Sequence, residues 1–147
     1  MRRLTSACRR LAQVSQRERQ LLARALVLVA VTRLALPLGG AARSRVLASR
    51  VAPALGDVSP ETQAWAVKAA ARWVPGATCL TQALALEALL VRNDHDCQVH
   101  VGVARAGVPE SLSAHAWVSN GGRVLLGADE ARGLVPLGVL DTRDHRL

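Results

Sequence analysis

The stretch that decides the fold is residues 76–92, GATCLTQALALEALLVR. Strong helix formers fill it almost without interruption, and Thr78 is of the residue type that caps helix N-termini. The pair Pro75-Gly76 at its start breaks any helix that comes earlier. The sequence therefore predicts a helix from Cys79 to about Arg92, with the cysteine in its first turn.

Downstream of this helix the pattern changes to strict alternation. Residues 97–104 carry Val at every second position, which is typical of a strand with one buried face. Residues 113–119 and 123–126 predict two more strands joined by an Asn-Gly-Gly hairpin turn. Residues 105–112 are predicted to form a loop, and residues 134–140 a short last strand.

Upstream, the chain is helical. Polar residues recur every three or four positions, which predicts one long helix from about residue 10 to residue 36, ended by Pro37, Gly39 and Gly40. From Ala25 onward this helix is apolar on nearly all sides, so we expect that part to be buried. Shorter helices are predicted for residues 41–51 and from residue 60 to about Trp73, whose indole is expected in the core. Helices followed by antiparallel strands make the fold class α+β.

Length and composition predict one compact domain. The chain has 147 residues, half of them hydrophobic, with no Phe or Tyr. Residues 1–56 form an N-terminal basic helical region, and residues 57–147 the core that carries the chemistry. The formal net charge is +8, and residues 1–50 contain eleven Arg and one acid, whereas residues 51–147 contain eight basic and ten acidic residues.

The arginine excess has three interpretations: a solvated helix face, a surface for an acidic partner protein or peptide, or a site for nucleic acid or an anionic membrane. No aromatic residues interleave with the arginines, so we expect no nucleic-acid partner. Arg24 and Arg33 interrupt the apolar stretch 21–38, and the uncharged run 25–32 is shorter than the roughly 20 residues that span a bilayer. No transmembrane segment is therefore expected. Three cysteines without a C-x-x-C pair fit a reducing cytoplasm.

Two residues suggest nucleophilic catalysis. The unpaired N–H groups and the dipole at a helix start favour a thiolate at Cys79, and the N–H groups near Leu80 are candidates to hold an oxyanion. His115, between two alanines in a strand, is the candidate base. The alternatives are a small buried cysteine and a half-buried histidine with satisfied hydrogen bonds.

Four further residues are of types found in catalytic or metal sites. Gln82, one turn into the helix, either faces the site or is an ordinary polar helix residue. Trp117 shares the strand face of His115 and either shields the imidazole or belongs to the core. Cys97 and His100 are metal-ligand types, but they point to opposite faces of a strand and no fourth ligand is evident, so no metal is expected. No phosphate-binding or dinucleotide motif is present, so no cofactor is expected.

Three segments carry a family resemblance: residues 79–86 (CLTQALAL), Gly102-Val103 and residues 114–118 (AHAWV). They closely resemble the transglutaminase-like leader peptidases of lasso-peptide biosynthesis. The chain length is similar to the split form, in which leader binding resides on a separate small protein. The resemblance implies a papain/transglutaminase-like core and a cysteine peptidase that removes the leader from a ribosomally made precursor. Its implied partners are the precursor leader peptide, the small leader-binding (recognition-element) protein and a partner cyclase.

In this family Cys79 would be the nucleophile, His115 the base, and an Asp shortly after the hairpin the third member of a triad. The sequence departs there, since the expected position is Gly127. The nearest acid is Asp129, which shares strand parity with Gly127 but would lie about 7 Å further along unless a bulge brings it back. Asp129 is the candidate to orient the imidazole, and a backbone carbonyl, a water or no group are the alternatives.

Two other functions stay open from the sequence. An acyltransferase or deamidase would use the same Cys–His pair and yield a crosslink or a Gln-to-Glu change. A non-catalytic partner-binding protein with a decayed site would tolerate loss of the Cys79 thiol, and the missing acid at position 127 favours it.

Overall fold

The computed structural model describes residues 15–104, 114–129 and 134–141. Within these ranges three helices precede four strands: α1 (Gln16–Val51), α2 (Pro60–Ala71), α3 (Cys79–Arg92), β1 (Gln98–Ala104), β2 (Ala114–Asn120), β3 (Arg123–Leu126) and β4 (Leu134–Asp141). The strands pair antiparallel in the order β3-β2-β1-β4. This order confirms the predicted α+β class. The loop predicted for residues 105–112 lies outside the described residues.

The first described helix begins at Gln16 because a capping box precedes it, and the predicted start near residue 10 lies outside the described residues. The Glu18 N–H donates to Ser15 Oγ at 3.2 Å, and the Ser15 N–H donates to Glu18 Oε2 at 2.8 Å. Hydrogen bonds from the Ser15 side chain and the Ser15 backbone to the carboxylate of Glu18 lower the pKa of Glu18. The predicted break between two helices is found at Gly40, whose φ of +66° and ψ of −171° are not helical, while Pro37 lies inside α1.

One face of α1 is buried and another is exposed. The buried side packs against α2 and α3 and consists of Leu21, Ala25, Leu28, Val29, Thr32, Ala35, Ser44 and Ala48. Leu34 and Leu38, by contrast, are 67% and 81% exposed. The expectation that the apolar part is buried on all sides is therefore wrong. By length and composition α1 is also apolar enough to cross a bilayer, which is a weak indication, since core helices pass the same test.

The central element of the fold is α3, and its predicted bounds are confirmed. Thr78 caps it, with the Thr81 N–H donating to Thr78 Oγ1 at 3.2 Å and the Thr78 N–H donating to Thr81 Oγ1 at 3.3 Å. All of residues 83–90 are buried between α1, α2 and the sheet. Burial of each leucine side chain in this stretch contributes about 2 kcal/mol. That packing fixes the start of α3 relative to β2.

The sheet separates two environments. Val99 and Val118 are fully buried on the face that packs with the helices. On the other face the His100 ring stacks on Trp117, with centroids 5.3 Å apart and planes 8° from parallel. His100 Nε2 lies 2.7 Å from Ser119 Oγ. The alternation predicted for β1 is therefore confirmed.

Trp73 departs from its predicted place in the core. Its side chain is 69% exposed, and α2 ends two residues before it, at Ala71. The backbone N–H of Trp73 bonds to Ala70 O at 2.9 Å in the turn that follows. That turn directs the indole away from the helices, so the prediction for Trp73 is wrong.

A bidentate ion pair joins α1 to α3 and gives the first testable prediction. Arg45 donates through Nε to Glu87 Oε2 at 2.9 Å and through a second nitrogen to Oε1, and the side chains are 16% and 5% exposed. We expect Glu87→Gln to lower the free energy of unfolding by about 2 kcal/mol, because the guanidinium would lose charge-assisted bonds in a largely dry site. Urea denaturation measures the change.

The matched control is the exposed pair between Glu61 and Arg123. Their nearest atoms are 3.3 Å apart and the side chains are 51% and 75% exposed. Solvent screens such a pair, so Glu61→Gln is expected to change stability by less than about 0.5 kcal/mol. Equal losses in both variants would contradict the buried role of Arg45 and Glu87.

Candidate active site

A cleft between α2, the start of α3 and the sheet gathers three of the predicted site residues. Cys79 and Gln82 come from the first turns of α3, and His115 comes from β2, where it pairs with Gly102 of β1. The cleft encloses about 60 Å³, room for about two waters or one small chemical group. Its described lining consists of Lys68, Cys79, Gln82, His115, Ala116, Leu126 and Gly127.

Cys79 is half-buried at the N-terminus of α3. The Gln82 N–H makes the helix's first backbone bond, to Thr78 O at 3.1 Å. The N–H groups of Cys79 and Leu80 precede that bond and point out of the helix end. They are therefore placed to donate to an oxyanion formed on a carbonyl that Cys79 attacks. The Leu80 side chain packs against the hydrophobic core instead.

Gln82 lies one turn after Cys79 and lines the same cleft. The helical spacing of three residues brings both side chains to one side of α3. The carboxamide of Gln82 has two N–H donors and one carbonyl acceptor. It is thus able to bind a peptide group that enters the cleft beside Cys79.

The position where the family acid is expected lies directly beside the imidazole. A Cβ at Gly127 would be 2.8 Å from His115 Nε2 and 2.9 Å from Trp117 Cβ, and Gly127 has a φ of +80°. Position 127 therefore lies next to His115, as the resemblance implies, but a glycine there supplies no carboxylate. The close contact makes Gly127 part of the surface against which the His115 ring rests.

Asp129 follows in an exposed turn and is not among the described residues that line the cleft. Its role as the group that orients His115 stays a prediction. Trp117 is 8% exposed, and a Cβ on Gly102 would lie 2.9 Å from its Cζ3. The indole therefore fills the space that Gly102 leaves open, and it packs on His100.

The other described cysteine, Cys97, is buried, whereas Cys79 is half-buried. Cys97 is 4% exposed in the core, and burial, followed by the charge of Glu87, raises the pKa of its thiol to about 12. His100 lies on the other face of the sheet, beside Ser119. Within the three described ranges, no three His, Cys, Asp or Glu side chains come together as a metal site.

Lys68 is the cleft residue that the sequence did not reveal. It lies on α2, eleven residues before Cys79, with an exposed side chain. The sequence distinguishes Lys68 from other residues only as the single lysine of the chain. Nothing in the pattern of α2 indicates that this position meets the start of α3.

A cysteine at a helix N-terminus and a histidine on an antiparallel strand, meeting in one cleft of an α+β fold, define the class of Cys–His acyl-transfer enzymes. Residues 25–138 match the family model of the transglutaminase-like superfamily, and the chain belongs to that superfamily. Its members are usually Cys–His enzymes of the cysteine peptidase and acyltransferase kinds. Comparisons with curated proteins and with solved structures give no match.

Proposed function

We propose that this protein is a cysteine peptidase that removes the leader peptide from a ribosomally made lasso-peptide precursor in the cytoplasm. The observation that carries the proposal is the meeting of Cys79, Gln82 and His115 in one cleft of a transglutaminase-like domain. The choice of substrate rests on the resemblance of residues 79–86 and 114–118 to leader peptidases of that kind.

The mechanism follows from the cleft. The Cys79 thiolate attacks the scissile carbonyl carbon, and the N–H groups of Cys79 and Leu80, with the Gln82 amide beside them, stabilise the oxyanion. The His115 imidazolium gives its proton to the leaving amine as the carbon–nitrogen bond breaks. His115 then takes a proton from water, which attacks the thioester, releases the leader as a carboxylic acid and restores the Cys79 thiolate and the His115 imidazolium.

The N-terminal helix supplies a surface for the proposed partners. Residues 16–20 of α1 are exposed and carry Arg17 and Arg19 on either side of Glu18, and Arg24 donates across to Ala54 O at 3.3 Å. An acidic leader or leader-binding protein would gain from this charge. We assign leader recognition to a separate small protein, and the cyclase would act on the product of the cut.

The test is mass spectrometry of the candidate precursor after incubation with this protein and the leader-binding partner. Wild type is compared with Cys79→Ala. We expect one cut at the leader–core junction with wild type and none with the variant, because the variant lacks the nucleophile. The Cys97→Ala variant serves as the matched control, since its thiol lies in the core, and it is expected to cut.

Other results separate the alternative functions. Conversion of Gln to Glu or a crosslink, dependent on Cys79 and without a cut, would replace the peptidase by a deamidase or acyltransferase. If wild type and Cys79→Ala both leave the precursor unaltered while the partner is verified as bound, the protein would instead be a non-catalytic binding protein. The glycine at position 127 would then be the first place to seek the lost activity.

A further inference from the structure

The charge of the cleft comes from one residue. Lys68 is the only Lys or Arg in the described lining, which contains no Asp or Glu. It belongs to α2, which packs against both α3 and β3. The packing that builds the cleft therefore also fixes where its single permanent positive charge lies.

The ammonium of Lys68 has no ion-pair or hydrogen-bond partner among the residues that the structure describes. Arg45, by contrast, is paired with Glu87. An ammonium group carries three donors and no acceptor, and a carboxylate is a complementary partner. A free cation beside a nucleophile makes a cleft attractive to anionic groups.

The size of the cleft limits what that anion is. The cleft is open to solvent, and its volume of about 60 Å³ has room for a carboxylate or a short side chain while the rest of a ligand stays outside. A peptide whose scissile carbonyl lies at Cys79 would bring only its adjacent groups within reach of Lys68. The partner of the ammonium is then a group next to the bond that is cut.

We propose that Lys68 determines specificity by binding a carboxylate of the substrate next to the scissile bond. At an internal leader–core junction the carboxylate is that of an Asp or Glu side chain, whereas a free C-terminus there would mean removal of a terminal residue and not of a leader. This inference rests on the proposed role of Cys79 as the nucleophile, and it extends that role by naming the chemistry of the preferred substrate.

The test uses two small alkylating probes that differ in charge. Iodoacetate is anionic, iodoacetamide is neutral, and both alkylate a thiolate. Mass spectrometry of the Cys79 peptide gives the rate of each reaction in the full-length protein. We expect the ratio of the iodoacetate rate to the iodoacetamide rate to fall about fivefold in Lys68→Gln, the effect of one opposite charge at about 4 Å in water. Any effect of Lys68 on the thiolate itself changes both rates and cancels in the ratio.

Two further variants test whether the effect depends on the position and the charge of Lys68. Arg72→Gln removes an exposed positive charge at the end of the same helix, outside the described lining, and is expected to leave the ratio unchanged. Lys68→Arg keeps the charge and is expected to retain most of the ratio. A ratio unchanged in Lys68→Gln, or lowered equally in Arg72→Gln, would overturn the proposal.

Protection of Cys79 from iodoacetamide by small compounds distinguishes a side-chain carboxylate from a terminal one. N-acetylglutamate α-amide offers only a side-chain carboxylate, N-acetylleucine only a terminal one, and N-acetylleucine amide none. Protection of wild type by either acid, lost in Lys68→Gln, supports the proposal and names the source. Equal protection by all three compounds contradicts it. Because alkylation needs no precursor, a failure of the leader-peptidase proposal would leave this result unaffected.

Discussion

Replacing Cys79 with Ser is expected to lower kcat/KM for precursor cleavage by at least about a thousandfold, because a hydroxyl at a helix N-terminus is a far weaker nucleophile than a thiolate. The thiol is half-buried and lines the same cleft as His115, and the described lining contains no other thiol or hydroxyl that could attack a carbonyl. Chromatographic rates of product formation at several precursor concentrations measure the loss.

The control for this substitution is Cys97→Ala. That thiol is 4% exposed and lies in the core, away from the cleft lining. Its removal costs some stability through the small cavity it leaves, but is expected to keep kcat/KM within about twofold. Comparable losses in both variants would mean that cysteine substitution disturbs the fold rather than the chemistry.

Substituting Gly127 is expected to give the second-largest effect. In Gly127→Ala the new methyl would lie 2.8 Å from His115 Nε2, so the ring or the strand must move. A displacement of a catalytic group by about 1 Å costs about a hundredfold in rate, and we expect that loss in kcat/KM. The φ of +80° adds a backbone penalty of about 1 kcal/mol, measurable by thermal unfolding.

Gly122 is a closely matched control for the backbone effect. It has the same φ of +80°, in the hairpin turn, and a Cβ there would meet nothing within 4 Å. Gly122→Ala is therefore expected to lose similar backbone stability while keeping its activity. If both alanine variants retained wild-type activity, the contact between Gly127 and His115 would have no part in catalysis.

Elements with strong local signals were predicted closely from the sequence. Thr78 fixes the start of α3, and the Asn-Gly-Gly turn fixes the hairpin between β2 and β3, because both depend on residues adjacent in the chain. The prediction that Leu38 and Trp73 are buried is wrong, since both side chains are exposed. Hydropathy shows that these side chains are apolar, but which side of a helix meets a neighbour depends on the tertiary packing.

The same distinction applies to the site. Cys79 and His115 were found because a helix start and a strand position are local features that together carry the resemblance. The expectation that position 127 lies near the imidazole comes from the family resemblance, whereas its final contact depends on the register shift between Val118 and Ser119. Lys68 reaches the cleft through the packing of α2 on α3, for which the sequence offers no local sign.

The most direct test of the central claim is intact-protein mass spectrometry of acid-quenched reactions between this protein, its leader-binding partner and the precursor. The account predicts a transient adduct on Cys79, heavier than the free protein by the leader fragment less one water, that hydroxylamine removes as expected of a thioester. The adduct should be absent in Cys79→Ala. Cleavage that proceeds without an adduct and persists in Cys79→Ala would contradict the assignment of Cys79 as the nucleophile.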